Sequence, residues 1–210
     1  MPTFGELIDR VVTDLNRGAD LSARVRAAVV DAIEFYSARR FAFNQARTTL
    51  TATASVEYLD LPDGWVEIDR VVLNDASGNR RLLRERNPGW IDEQEAADSD
   101  TGEPVVYAVD NRMLRLYPVT DSTYSLSVSY LKRLTEVSLS AADSVTNAWT
   151  TEGYLVIYAR AMADMLESYI DGEESFAKAG LMRRREAEAL RELERRVVRE
   201  QGGGQIRPFM

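Results

Sequence analysis

No cysteine and no histidine occur among the chain's 210 residues. Without a thiol there is no disulfide, no CxxC redox pair and no cysteine nucleophile. Without an imidazole there is no Ser-His-Asp triad and no His/Cys zinc site. The side chain best placed to move protons near neutral pH is missing as well. Lys132 and Lys178 are the only lysines, which leaves little for a Ser-Lys scheme. Chemistry is thereby confined to carboxylates, alone or with Mg²⁺ or Ca²⁺, and we expect no enzyme, no cofactor and no metal site. No apolar run approaches the roughly 18–20 residues that span a bilayer. The opening Met1-Pro2-Thr3-Phe4-Gly5-Glu6 has neither a basic nor an apolar stretch, so no signal peptide is expected. A chain that stays in the cytosol, or leaves the cell inside a particle released by lysis, with no membrane partner, is the expectation.

Positive charge is scarce too. The net charge is -8, whereas proteins that grip DNA do so with a basic face that neutralises phosphates. Of the 26 basic residues all but the two lysines are arginines. Arginine makes planar, bidentate pairs that suit interfaces, and an arginine-favouring genome would leave the same bias. The 45% hydrophobic share supports a packed core rather than disorder. A chain of this length can bury roughly 70% of the surface its unfolded form exposes.

Helical periodicity marks both ends of the chain. Thr3 and Glu6 have the spacing of a capping box, and Phe4, Leu7, Ile8, Val11, Val12 and Leu15 share one helical face. Gly18 is the expected stop, and Asp20 the expected cap of a second helix reaching about Arg40 with Val25, Val29, Ile33 and Tyr36 on its apolar side. Beyond Trp149, capped by Thr150 or Thr151, a third helix carries Leu155, Tyr158, Ala159, Met162, Leu166, Tyr169 and Ile170 as one stripe. Asp171-Gly172 breaks it. A last, Arg- and Glu-rich helix spans about 173–200 and is weakly apolar through Phe176, Met182, Leu190, Leu193 and Val197.

Between them the period changes to two. Strands are expected over 48–53, 56–61, 65–73, 81–83, 105–109, 113–117 and 124–130, with turns at Pro62-Asp63-Gly64, 74–79 and Asp110-Asn111-Arg112. A short helix is expected over 89–97 and an acidic loop over 98–103. In 124–130 the apolar residues share one face and the serines the other, as in a sheet wet on one side. The expected fold is α+β: an antiparallel four-helix bundle from both chain ends (1–45 and 148–200), an inserted antiparallel β-rich subdomain (46–147), and an extended C-terminal tail (201–210).

Three groups invite a functional reading. Glu93, Glu95, Asp98, Asp100 and Glu103 are dense in charge, but Gly102 stands in the wrong place for a calcium loop, so a solvated acidic face is expected. Trp65, Trp90 and Trp149 sit at element boundaries, and Tyr107, Tyr117, Tyr124 and Tyr130 alternate; both sets read as core or packing residues. Arg183, Arg184 and Arg185, followed by Arg191, Arg195 and Arg199 with interleaved glutamates, read as a salt-bridged helix face, either solvated or facing another subunit. The tail is the most informative segment. After Gly202-Gly203-Gly204 come Ile206, Arg207, Pro208, Phe209 and Met210. Burying Ile206, Phe209 and Met210 would contribute roughly 1.5–3 kcal/mol each, against roughly 1–2 kcal/mol per residue for ordering about nine residues of backbone. The sums nearly cancel, so ordering the tail takes a partner chain or many tails acting together.

The ordered set resembles the head-to-tail adaptor (connector) proteins of tailed bacteriophages. The likeness lies in the 3–16 helix, Phe35-Tyr36-Ser37-Ala38-Arg39-Arg40-Phe41, Tyr58-Leu59-Asp60-Leu61-Pro62, Gly102-Glu103-Pro104-Val105-Val106-Tyr107, Leu114-Arg115-Leu116-Tyr117-Pro118, Asp121-Ser122-Thr123-Tyr124-Ser125-Leu126 and Asn147-Ala148-Trp149. The resemblance implies a structural protein of the virion neck. It implies a homo-oligomeric ring, usually of twelve subunits, docked beneath the portal protein and extending the DNA channel. Genomic DNA would pass through without specific binding, and a stopper or nozzle would bind the tail side. It also implies that a C-terminal extension reaches the portal, a role that falls here on Ile206, Arg207, Pro208, Phe209 and Met210. Another neck or tail completion protein, or a particle-borne carboxylate hydrolase, are the alternatives.

Overall fold

The computed structural model describes residues 1–16, 21–75, 77–97, 101–134, 137–170 and 172–201, the last five without their side chains. The fold is α+β, and the chain divides into two units, 1–44 with 133–210 and 45–132.

The first unit is helical. Helix α1 (Phe4–Leu15) starts at Thr3, whose side chain accepts from the Glu6 N–H at 3.1 Å while the Glu6 carboxylate accepts from the Thr3 N–H at 3.0 Å. Such reciprocal capping satisfies two of the donors that a helix start leaves orphaned. Two more are taken by loop carbonyls: Phe4 donates to Val145 at 2.8 Å and Gly5 to Asp143 at 2.9 Å. Gly5 allows that approach, since a Cβ there would lie 2.6 Å from the Asp143 Cβ and 3.1 Å from its carbonyl oxygen. Helix α2 (Ser22–Ser37) is shorter than the sequence predicts, and Leu21 at its start makes no side-chain cap. Gly18 and Asp20 lie outside the described residues.

A 3-10 turn (Ala42–Asn44) follows, pinned by Asn44, which accepts from the Phe41 N–H at 2.7 Å and donates to the Arg39 carbonyl at 2.7 Å. It sets Phe41 and Phe43 against Trp149, with ring centroids 5.5 and 4.9 Å away. Trp149 is fully buried in the four-residue helix α4 (Ala148–Thr151). Asn147, not Thr150 or Thr151, caps it: the Asn147 side chain accepts from the Trp149 and Thr150 N–H groups, and Thr150 returns the bond at 3.0 Å. Helix α5 (Tyr154–Ser168) then begins at Gly153, and α6 (Glu173–Gln201) closes the described chain.

Helix α5 is apolar on nearly every side and packs on α1, α2 and α6, so it forms the centre of this unit's core. Val156, Ile157, Ala161, Ala163 and Met165 are buried beside the expected stripe, whereas Leu155 and Tyr169 of that stripe are exposed. Tyr169, just past the end of α5, lies under Arg24 of α2 at 4.9 Å, whereas Leu155 lies on the flank of α5 between α1 and α6. There a groove of about 350 Å³ opens along Arg10, Leu155, Tyr158 and Arg185.

The second unit is β-rich. Strands β1 (Gln45–Ala52), β10 (Tyr124–Lys132), β3 (Trp65–Asn74) and β4 (Arg80–Leu82) form one antiparallel sheet in that order. Strands β2 (Tyr58–Asp60), β8 (Met113–Tyr117), β7 (Val106–Asp110) and β5 (Arg84–Glu85) form the other; it is antiparallel except where β5 runs parallel to β7. Inward residues of both, among them Leu73, Leu114, Leu116, Leu126 and Val128, join one core. Helix α3 (Pro88–Ala97) lies between β5 and the two-residue strand β6 (Thr101–Gly102), which pairs in parallel with β9 (Val119–Thr120). The expected loop over 98–103 therefore contains a strand, held by a pairing too short for any sequence pattern to register. Tyr107, Tyr124 and Tyr130 are buried; the hydroxyl of Tyr124 reaches Asp121 at 2.7 Å.

Two glycines make the packing testable. Gly5→Ala should destabilise the protein by about 1–2 kcal/mol, overpacking outweighing a helix-propensity gain of about 1 kcal/mol. Gly180→Ala in α6 meets nothing within 4 Å and should stabilise by about 1 kcal/mol. Urea unfolding of both variants, with opposite signs, checks this.

Candidate assembly surface

Helix α6 carries the arginines singled out in the sequence, and the structure sorts them into two sets. Its buried seam runs through Ser175, Ala179, Met182, Glu186, Ala189 and Leu193, alternating four- and three-residue steps. One of these positions is charged. The Glu186 carboxylate, 7% exposed, accepts from the Tyr36 hydroxyl, from Arg160 at 3.0 Å and from Arg183 at 3.1 Å. Burial alone would raise its pKa; hydrogen bonds from Tyr36, Arg183 and Arg160 outweigh that and leave it below the ordinary value of 4.5. Burial, with the Glu186 charge beside it, pushes the Tyr36 hydroxyl up to about 12.

Arg183 spends its guanidinium inside the chain, at 2.6 Å from both Asp164 and Glu167 and 3.1 Å from Glu186. Those bonds, first of all to Glu167, raise its pKa further above an already high value. Arg160 covers the half-exposed Phe35 ring at 3.5 Å, so that aromatic is already capped by a cation. Arg183 is thus a tie between α5 and α6.

The opposite side of α6 is an outward ridge: Leu181, Arg184, Glu188, Arg191 and Arg195, spaced so that they follow one another along one stripe. Leu181 is 56% exposed. Arg184 and Arg191 are exposed with no ion pair among the described residues, and Arg195 reaches Glu192 only at 3.8 Å. Arg185 faces the groove beside Tyr158. The ridge is therefore cationic on a chain whose net charge is -8. The Arg199 side chain and Ile206, Arg207, Pro208, Phe209 and Met210 lie outside the described residues.

The acidic cluster is dispersed. Glu95 joins Glu57 and Asp92 around the buried Arg115 of β8 at 2.7, 2.6 and 2.5 Å, Glu103 pairs with Arg81 at 3.1 Å, and Glu93 is exposed. Asp98 and Asp100 are outside the described residues. Among the described residues no group of three or more carboxylates is placed to hold a metal ion, and no helix is long and apolar enough to cross a membrane. The sequence profile of the SU10 adaptor protein matches residues 2–208 of this chain. The chain belongs to that family of phage head-to-tail adaptors. No curated protein matches it. An adaptor family is a structural class, so the arrangement to explain is one of surfaces rather than of a reacting centre.

Two of the adaptor's key residues escaped the sequence reading. Arg115 sits in an alternating strand like any outward charge. Glu186 had a signal: it falls on the three- and four-residue spacing of Ala179, Met182 and Leu193, a charge on the buried stripe.

Because the Glu186 pKa is lowered on folding, its contribution is present above the unfolded value and is lost as pH falls through and below 4.5. Glu186→Gln should cost about 3 kcal/mol at pH 7 and flatten the acid side of the stability–pH curve. Equilibrium unfolding at a series of pH values reads both effects.

Proposed function

We propose that this adaptor is a subunit of a homo-oligomeric ring, twelve copies by its resemblance to connector proteins, seated beneath the portal protein in the virion neck. In this reading the ring prolongs the DNA channel and offers its far side to a tail protein, a stopper or nozzle. The four long helices act as an antiparallel bundle that carries the contacts, and the β-rich unit 45–132 is the insert, shorter at its end than the 46–147 expected from the sequence. The observation that carries the reading is the family match over nearly the whole chain. The charge distribution supports it. A conduit must let DNA slide, and a chain of net charge -8 holds phosphates weakly.

The cationic ridge of Arg184, Arg191 and Arg195 is the proposed contact with a neighbour or with the portal, joined by Arg185 and Arg199. Arg183 contributes indirectly, by fixing α6. Arginine suits such a surface because its planar fork binds carboxylates in pairs. The tail, Ile206 to Met210, is the proposed portal anchor beyond a glycine hinge; its marginal energetics as a lone segment make docking depend on a partner.

Two variants test the two contacts separately. Removing 202–210 should abolish co-sedimentation with the portal while leaving circular dichroism and unfolding unchanged; undiminished docking would end the tail's role. Reversing Arg184, Arg191 and Arg195 to Glu should weaken assembly about tenfold or more, since exposed pairs contribute roughly 0.2–1 kcal/mol each. Assembly at undiminished affinity would remove the ridge from the interface.

A further inference from the structure

The sheet that contains β1 has one edge unlike either edge of its four-stranded companion. Strand β1 is eight residues long and pairs with β10 in one unbroken register from Gln45 opposite Leu131 to Ala52 opposite Tyr124. It has no proline, lysine or bulge, and its one charge is Arg47. Among the described residues, no backbone hydrogen bond reaches the outer side of β1 over 46–52 or of β4. The second sheet ends in strands of three and two residues. A long, regular, nearly neutral edge is a template for another strand, and β4, three residues long and exposed throughout, is the open edge on the other side of the same sheet.

Strand polarity says which strand fits. From β1 to β4 the sheet alternates up, down, up, down. An even count means that β1 of a second copy, laid against β4, continues the alternation as an antiparallel pair. The contact is head-to-tail, uses two different surfaces, and so can close into a ring.

The rows of residues crossing the sheet agree. Leu82 stands opposite Val72, Val72 opposite Ser127 and Ser127 opposite Thr49. The next two rows end in Arg81 with Leu50 and in Arg80 with Thr51. The three positions of β4 thus share rows with neutral residues of β1, and Arg47 lies beyond them, so continuing the rows sets no like charges together. Leu82, 60% exposed at its edge, would gain a neighbour on the same face.

We infer that β1 of each copy pairs antiparallel with β4 of the next copy, joining the sheets of adjacent subunits. This rests on the ring reading above. The absence of cysteine makes the test clean: Thr49→Cys and Leu82→Cys place thiols on the sheet's outer face at opposite edges. Rings of the double variant, treated with a flexible bis-maleimide that spans neighbouring strand positions, should give a ladder of covalent multimers up to the full ring. Each single variant should stay at monomer mobility. Rings of the correct mass that yield no ladder would overturn the edge pairing and leave the ring intact. Self-linking of Thr49→Cys alone would overturn it in favour of a two-fold β1–β1 contact. Failure to form rings at all would sink the ring reading, and this inference with it.

Discussion

The Glu186 carboxylate is almost wholly out of water, yet it stays charged because three donors from α2, α5 and α6 converge on it. Against an apolar residue of similar shape a buried ion pair adds little net stability. What it changes is tolerance. If α6 slid by a turn, the carboxylate would remain buried without Tyr36 or Arg160, and Arg183, which moves with it, would leave Asp164 and Glu167, at a cost of several kcal/mol. Small neighbours on the seam, Ala179 and Ala189, would not resist such a slide by shape alone. The position of α6 is thus set by charge, and every outward residue on it inherits that setting.

The same network divides the arginines by role. Arg160 and Arg183 are consumed within the chain, bridging Asp164, Glu167 and Glu186. Arg184 and Arg191, on the far side, have no such partner among the described residues. Elsewhere arginine caps aromatic rings: Arg10 lies 5.0 Å from Tyr158, Arg86 5.3 Å from Trp90 and Arg112 5.7 Å from Trp65. Lysine would do these tasks poorly, since they need a flat, weakly hydrated cation. Whatever coding bias favours arginine, here the side chains are put to use.

Much of the fold was legible because it rests on local rules. The Thr3–Glu6 capping box, the apolar face of α1 and the alternation of β10 are short-range patterns, and each appears where it was expected. The α+β character followed from the change of period. Features set by distant partners were not legible. Asn147 outcompetes Thr150 and Thr151 as a cap because the short helix α4 precedes Gly153. Leu155 has helical spacing but faces a groove. The β6–β9 pair joins residues far apart in sequence. Of the candidate surface, the arginine run was visible, but its division into inward and outward sets depended on where Asp164 and Glu167 lie.

In the proposed role this chain joins copies of itself to a portal protein. The mass of the complex formed when the purified chain is mixed with portal, measured by native mass spectrometry, tests that most directly. The account predicts a closed assembly with a fixed number of adaptor copies per portal ring, twelve for a twelve-fold portal. A protein that remains monomeric beside an intact portal would contradict it.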